Sequence, residues 1–318
     1  MKILKFPPEE TWDELCIRPL YDVSDIDSHV RIILKRVKDE GDSALRYYSE
    51  KFDHITVSDL KLTDNELNES EKYVSSDLKN AIGIARDNII KFHRSQLTGE
   101  LTVETMPGVK CRRKGVPVEK AGLYIPGGSA PLFSTVLMLG VPAKIAGCSR
   151  IIICTPPGRN GKINPLILYT AKMTGITEIY RIGGAQAIAA MAYGTESIPR
   201  VDKIFGPGNQ YVTKAKELVS SGGVAIDMPA GPSEVLVIAD SEADAAFIAS
   251  DLLSQAEHGS DSQVILLTDS AKLLQEVSAE LDRQLEDLPR KDIAVKSLAN
   301  SMAVLLQDLD DCIRLSNK

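Results

Sequence analysis

The chain contains 318 residues, of which 43% are hydrophobic and 25% are charged, and this is the composition of an ordinary globular protein. At roughly 150 residues per domain, this length predicts about two domains with cores that need no disulfide or metal support. The 44 acidic and 37 basic side chains leave a net charge of −7. This charge disfavours a nucleic-acid partner, because such binding depends on clustered lysine and arginine.

The cysteines and the N-terminus indicate where the protein works. Five cysteines are scattered without a C-x-x-C pair, which is typical of reduced thiols in the cytosol. No apolar core follows Lys2 and Lys5, and no run approaches the roughly 18 to 20 apolar residues of a membrane span. We therefore expect a cytoplasmic protein without an export signal or a membrane partner.

The first hundred residues are predicted to be mostly helical. A helix is expected to start at Ser24 and to end at Gly41, because it carries an apolar stripe at helical spacing. That stripe consists of Ile26, Val30, Ile33 and Val37. Two more helices are expected over about 43–52 and 77–93, and Thr63-Asp-Asn-Glu66 has the form of a capping box. Alternating residues over 101–118 then predict a β-hairpin.

Between about residues 120 and 233, short β-rich runs recur, and each of them closes on glycine. The five runs span residues 122–128, 150–158, 178–184, 203–208 and 224–231. Apolar strands that alternate with helices build a parallel sheet covered on both faces. In such folds ligands bind at the carboxyl ends of the strands, where these glycine turns are expected to lie.

A second α/β pattern occupies residues 234–318, with strands predicted over 234–239, 263–268 and 302–306. The predicted fold class is therefore α/β, with two Rossmann-like doubly wound lobes, one inserted in the other, and a helical N-terminal region. The expected boundaries are an N-terminal arm over 1–20, one domain formed by 21–119 with 234–318, and an inserted domain over 120–233.

Two sets of residues could carry chemistry. The G-x-G-x-x-G dinucleotide fingerprint is absent, so the glycine turns by themselves also fit ordinary strand-to-helix connections. Gln255 and His258 are three residues apart near the end of a predicted helix, where an amide oxygen and an imidazole could hold a divalent cation such as zinc. The same two residues could instead satisfy the free carbonyl groups of the last helical turn.

Long stretches of the chain resemble the histidinol dehydrogenase family. The stretch Ile226–Asp240, which continues through Ala249–His258, is similar to the long signature of that family. Three more segments resemble the family in the same order: Gly122–Met138, Gly183–Ala189 and Lys203–Asn209.

This resemblance implies an enzyme that oxidises L-histidinol to L-histidine through an aldehyde-level intermediate, consuming two NAD⁺ in the last steps of histidine biosynthesis. It also implies a zinc ion that positions the substrate's imidazole and amine. By motif, Gln255 and His258 match zinc ligands that also contact the substrate, and Ser233 matches a substrate contact. The residues that match NAD contacts are Tyr124, Gln186 and Asn209. The family forms homodimers that complete each active site with residues of the partner.

The chain departs from the family pattern at its C-terminus. In the family, a Glu-His pair that activates water and shuttles protons follows the counterpart of Lys318 almost immediately, so no catalytic acid–base residue is expected within this chain. Two further zinc ligands, an Asp and a His, are absent as well. The expectation is a truncated histidinol dehydrogenase, inactive alone, with an incomplete zinc site. The alternatives are a non-catalytic module that binds nucleotide or histidinol, and a dehydrogenase acting on another amino alcohol.

Overall fold

The structure is a computed structural model of the chain, and it describes residues 1–17, 24–127, 131–229, 234–260 and 262–318. The strands of these residues are β1 (Lys2–Lys5), β2 (Leu101–Met106), β3 (Val109–Arg113), β4 (Lys120–Tyr124), β5 (Arg150–Thr155), β6 (Glu178–Arg181), β7 (Lys203–Phe205), β8 (Ala225–Ile226), β9 (Glu234–Ala239), β10 (Gln263–Thr268) and β11 (Met302–Leu305).

The α-helices are α1 (Trp12–Leu15), α2 (Ser24–Glu40), α3 (Asp42–Tyr48), α4 (Asp64–Glu69), α5 (Ser76–Ser95), α6 (Phe133–Ala146), α7 (Pro165–Met173), α8 (Gly184–Tyr193), α9 (Gln210–Ser220), α10 (Ala245–Ala256), α11 (Ala271–Glu286), α12 (Lys291–Ala299) and α13 (Leu309–Ser316). None of the helices in the described residues is both long enough and apolar enough to cross a membrane.

The chain divides into two compact units. One comprises residues 22–229, and the other comprises residues 1–21 together with 230–318. In the first unit, a five-stranded parallel sheet has the order β6-β5-β4-β7-β8. Helices α6 and α7 cover one face of the sheet, and α8 and α9 cover the other. This confirms the predicted parallel α/β layer.

Helix α2 shows why residues 22–119 belong to this unit. Its apolar stripe is buried, with Val30 and Val37 both 0% exposed, and it packs in one cluster with α8 and α9. The opposite face of α2 carries exposed ion pairs such as Arg31–Asp27. The expected grouping of residues 21–119 with 234–318 therefore differs from the structure, because α2 buries its stripe on the almost wholly apolar helix α8.

Several local predictions in this unit are confirmed. Thr63 and Glu66 form both hydrogen bonds of the capping box at the start of α4. Strands β2 and β3 form the predicted antiparallel hairpin, and every residue of both strands is exposed. The helix expected over 43–52 is shorter than predicted, since α3 ends at Tyr48 and a π-helical turn over Ser49–Asp53 follows it.

The second unit contains a four-stranded parallel sheet of order β1-β11-β10-β9. Helices α10, α11 and α12 cover one face of this sheet. Trp12 and the buried residues of α13 cover the other. Residues 2–5, expected to be part of an arm, are instead the edge strand of this sheet, paired residue by residue with Met302–Leu305. Their backbone groups gain hydrogen bonds there that an unpaired arm would lack.

Candidate functional site

The carboxyl ends of the strands in the 22–229 unit form the candidate site. Counted along the chain, the five strands are arranged 3-2-1-4-5, so the order reverses between β4 and its neighbour β7. Open α/β sheets bind ligands in the crevice at such a switch point. Tyr124 is the last residue of β4, and Gly206 follows β7 directly.

Glycines allow the turns after β4, β5 and β6 to lie against one another. A Cβ on Gly127 would lie 2.4 Å from Pro156 Cγ, and a Cβ on Gly183 would lie 2.6 Å from Pro156 Cβ. Only hydrogen fits in these two places. The glycines therefore bring three neighbouring turns into contact around Pro156, which follows β5.

Tyr124 is buried at the end of β4, with 4% of its surface exposed. Its hydroxyl accepts a hydrogen bond of 3.1 Å from the backbone N–H of Gly184, at the start of α8. Burial raises the pKa of this phenol to about 12. The hydroxyl is therefore neutral near pH 7, and its proton can be donated to another group.

Gln186 lies one turn into α8 and is only 2% exposed. Its amide has no hydrogen-bond partner within the described part of the chain. The Oε1 atom lies so close to Gly184, which has a φ of +68°, that a Cβ there would be 2.6 Å from it. Because these amide atoms have no partner among the described residues, they are available to a bound polar ligand.

A buried ion pair holds the turn that leads to Asn209. Lys216 of α9 forms an ion pair with Asp227 and donates a 2.9 Å hydrogen bond to the carbonyl of Gly206. Asp227 in turn accepts a 2.8 Å hydrogen bond from the N–H of Gly206. Gly206 has a φ of +133°, and a Cβ there would lie 2.1 Å from the carbonyl oxygen of Tyr124.

Asn209 is exposed and is the N-cap of α9, where its side-chain oxygen accepts a 3.1 Å hydrogen bond from the N–H of Val212. This bond uses the amide oxygen and leaves the NH₂ group of Asn209 without a partner in the described residues. The Asn209 amide can therefore cap its helix and donate to a ligand at the same time.

A cavity of about 520 Å³ opens at the same edge of the sheet, beside the turns that follow β4 and β5. Its walls combine proline rings with a few polar side chains. The residues that line it are Tyr73, Pro126, Gly127, Pro131, Pro156, Pro157, Gly158, Asn160, Lys162, Ile163, Asn164, Pro165 and Ile167.

Replacing Tyr124 with phenylalanine tests the bond to Gly184. We expect the variant to lose about 1 to 2 kcal/mol of unfolding free energy at pH 7, because the Gly184 N–H loses its acceptor. The deficit should shrink above pH 10. There the unfolded wild type releases the phenol proton that the folded wild type keeps, so the wild type loses stability that the variant cannot lose. Urea unfolding at pH 7, 9 and 10.5 measures both effects, and a deficit that stays constant with pH would contradict the raised pKa.

Gln255 and His258 lie in the other unit. Asp244 caps α10 by accepting hydrogen bonds from the N–H groups of Ala246 and Phe247. Gln255 is half-buried in the last turn of that helix, and His258 is exposed just beyond it. Their side chains make no hydrogen bond within the described residues. Across these residues no group of three or more His, Cys, Asp or Glu side chains is arranged to hold a metal ion.

Comparison with known proteins gives the family. The family model described as histidinol dehydrogenase matches residues 17–318. The chain belongs to the histidinol dehydrogenase family.

Individual members of the family are similar over the whole chain. The histidinol dehydrogenase of Bacteroides thetaiotaomicron is 56% identical over 317 residues, which cover 100% of this chain and 74% of that protein. The protein of the same description from an Escherichia coli O6:H1 strain is 52% identical and is covered to 70% of its length. The crystal structure of histidinol dehydrogenase from Elizabethkingia anophelis superposes with a TM-score of 0.97 at 51% identity, over 100% of this chain and 73% of that one.

Within this family fold, the predicted NAD residues lie at one sheet edge. Tyr124 and Gln186 both contact Gly184, and Asn209 follows the turn in which Gly206 contacts Tyr124. Ser233 lies outside the described residues. The binding roles of all these residues, and of Gln255 and His258, stay predictions.

Sequence reasoning missed two parts of this edge. The Lys216–Asp227 pair joins a helix to the end of a strand, and no local pattern signals it. Asp53 is the second, since its charge helps to raise the pKa of the Tyr124 phenol. The only local sign is that Asp53 follows an apolar residue at the end of a predicted helix.

Proposed function

We propose that this chain carries the NAD-binding part and two of the zinc ligands of a histidinol dehydrogenase, which oxidises L-histidinol to L-histidine through an aldehyde-level intermediate. Membership of the family and the names of its relatives support this substrate. The unpartnered amide of the buried Gln186, beside the Tyr124 hydroxyl at the switch point of the sheet, is the observation that carries the assignment of NAD.

The donors and acceptors at the crevice fit a dinucleotide. NAD⁺, when bound, accepts the hydride in each oxidation. Tyr124 can donate its hydroxyl proton, Gln186 can both donate and accept, and the NH₂ group of Asn209 can donate. The neighbouring cavity, about 520 Å³ with proline walls, has room for part of the nucleotide.

The zinc donors fit the metal only in part. An imidazole from His258 and an amide oxygen from Gln255 are ligands that zinc accepts, while tight zinc sites use three or four protein donors. We propose that these two residues hold one side of the ion and orient the substrate's imidazole and amine, and that Ser233 contacts the substrate. A homodimer and a cytoplasmic location complete the proposal, and the latter is supported by the five scattered cysteines.

Calorimetric titration of NAD⁺ into the 318-residue chain tests the cofactor assignment. We expect binding by the wild type and binding about tenfold weaker by Gln186→Ala, because each hydrogen bond to an uncharged amide contributes about 0.5 to 1.5 kcal/mol. Gln96→Ala is the matched control, since Gln96 is exposed and bonds to His93 instead. A wild-type chain that fails to bind NAD⁺ would overturn the assignment.

A non-catalytic binding module is the second candidate. It is favoured by the lack, among the described residues, of a group of three or more His, Cys, Asp or Glu side chains that could hold a metal ion. Both candidates predict NAD⁺ binding, and they differ in turnover.

A further inference from the structure

The carboxylate of Asp53 forms no hydrogen bond and no ion pair with the described part of the chain. It lies at the end of the π-helical turn Ser49–Asp53 and is half-buried. Its Oδ2 atom is shielded from solvent and receives no hydrogen bond. Burial raises the pKa of this carboxyl group above its ordinary value. An unpaired acceptor costs free energy in the folded protein, so this carboxylate reduces stability in the absence of a ligand.

The segment that carries Asp53 packs in the same cluster as Tyr124 of the proposed NAD crevice. The charge of Asp53 also helps, after burial, to raise the pKa of the Tyr124 phenol. Tyr48 and Ile55, on either side of Asp53 in the sequence, belong to the same apolar cluster as Tyr124 and Ala185. This cluster places the segment around Asp53 beside Tyr124 and the N-terminus of α8, where the amide of Gln186 also lies.

Local contacts hold the backbone around Asp53 in one conformation, and this conformation costs free energy at His54. His54 adopts the left-handed region with a φ of 57°, which is uncommon for a residue with a side chain. The N–H of Ile55 donates a 3.3 Å hydrogen bond to the carbonyl of Ser49, and the rings of Tyr48 and Phe52 stack with centroids 5.4 Å apart. These contacts fix the backbone on both sides of Asp53.

We propose that Asp53 is a further cofactor-binding residue, whose carboxylate accepts a hydrogen bond from a ribose hydroxyl of NAD⁺. This inference rests on the proposed use of NAD. Tyr124 and Asn209 offer donors, and the Gln186 amide offers both donors and an acceptor. An ionised carboxylate offers only acceptors, to which a ribose hydroxyl can donate. A carboxylate is also the acceptor that dinucleotide-binding folds commonly use for ribose.

Asp53→Asn tests the proposal in the 318-residue chain. We expect NAD⁺ to bind about tenfold more weakly, because a hydrogen bond to a charged acceptor is lost. The melting temperature of the unliganded variant should stay the same or rise, because an unpaired buried charge has been removed. A purely structural role would lower the melting temperature and leave the affinity unchanged. Asp59→Asn is the matched control, since it removes the same charge from an exposed side chain nearby.

Binding measurements with fragments of NAD⁺ identify which of its two riboses donates the hydrogen bond to Asp53. If the partner is the adenosine ribose, Asp53→Asn weakens binding of ADP, ADP-ribose and NAD⁺ alike. If it is the other ribose, the variant weakens binding of ADP-ribose and NAD⁺ and leaves ADP unchanged. An effect on NAD⁺ alone would place Asp53 at the nicotinamide and overturn the proposal, as would equal affinities in variant and wild type. A wild type that binds neither NAD⁺ nor ADP-ribose would overturn the cofactor assignment, and this inference with it.

Discussion

Supplied with zinc, NAD⁺ and L-histidinol, the 318-residue chain should form NADH about 10² to 10⁴-fold more slowly than the histidinol dehydrogenase of Bacteroides thetaiotaomicron. That factor is the typical contribution of one positioned acid–base group. Within the described residues, Gln255 and His258 have no third metal-binding side chain grouped with them, and two donors hold zinc weakly. Weak binding of zinc would therefore limit turnover, and so would the lack of the catalytic acid–base residue that the sequence analysis expects.

Absorbance at 340 nm measures this difference at equal protein concentration. NAD⁺ binding by the same preparation is the control for folding, because the proposed crevice lies within residues 22–229. Turnover by the chain comparable to that of the Bacteroides protein would show that its own residues suffice for catalysis. It would also exclude the non-catalytic binding module.

Lys216→Ala should lower the unfolding free energy by about 3 kcal/mol. Lys216 is 4% exposed, and its loss leaves Asp227 without the cation that neutralises it and the Gly206 carbonyl without its donor. Removing one partner of a buried ion pair typically costs about 3 to 5 kcal/mol, and the lower value applies because the side chain of Asp227 is 29% exposed. Weaker NAD⁺ binding should accompany the loss, since the displaced turn leads to Asn209.

Urea unfolding measures the change, and Lys214→Ala is the control on the same helix. Lys214 pairs with Glu217 near the surface, so its removal should cost less than about 1 kcal/mol. Equal costs for the two variants would show that the buried pair does not hold the turn. Lys216→Met keeps most of the apolar stem and would separate lost packing from lost charge.

The sequence was sufficient to predict the parallel sheet and the residues at its edge, because both have local signals. Apolar runs that end in glycine mark strands and their turns. Tyr124 lies within one such run, and Gln186 lies two residues after the end of another. The capping box at Thr63 and the hairpin after Leu101 are equally local, since all the atoms involved lie within a few residues of one another.

Features that depend on distant contacts could not be predicted in this way. A lysine in an amphipathic helix is typical of a solvent-exposed face, and only the fold brings Lys216 to Asp227. The grouping of α2 depends on its contact with α8, about 150 residues further along the chain. The position of Asp53 could not be predicted either, because Asp53 lies in a π-helical turn and the sequence pattern there predicts an ordinary helix.

The pairing of β1 with β11 bears on the order in which the protein folds. Lys2 lies beside Met302, so this pairing joins residues 300 positions apart and cannot form until the ribosome has made the chain as far as β11. Residues 22–229 are continuous and can fold earlier, during synthesis. Once they are folded, the loop that must close between β1 and β11 is shorter in effect, and its entropic cost is lower. Until then the backbone groups of β1 are unpaired, and they can bind a chaperone or pair with a strand of another chain.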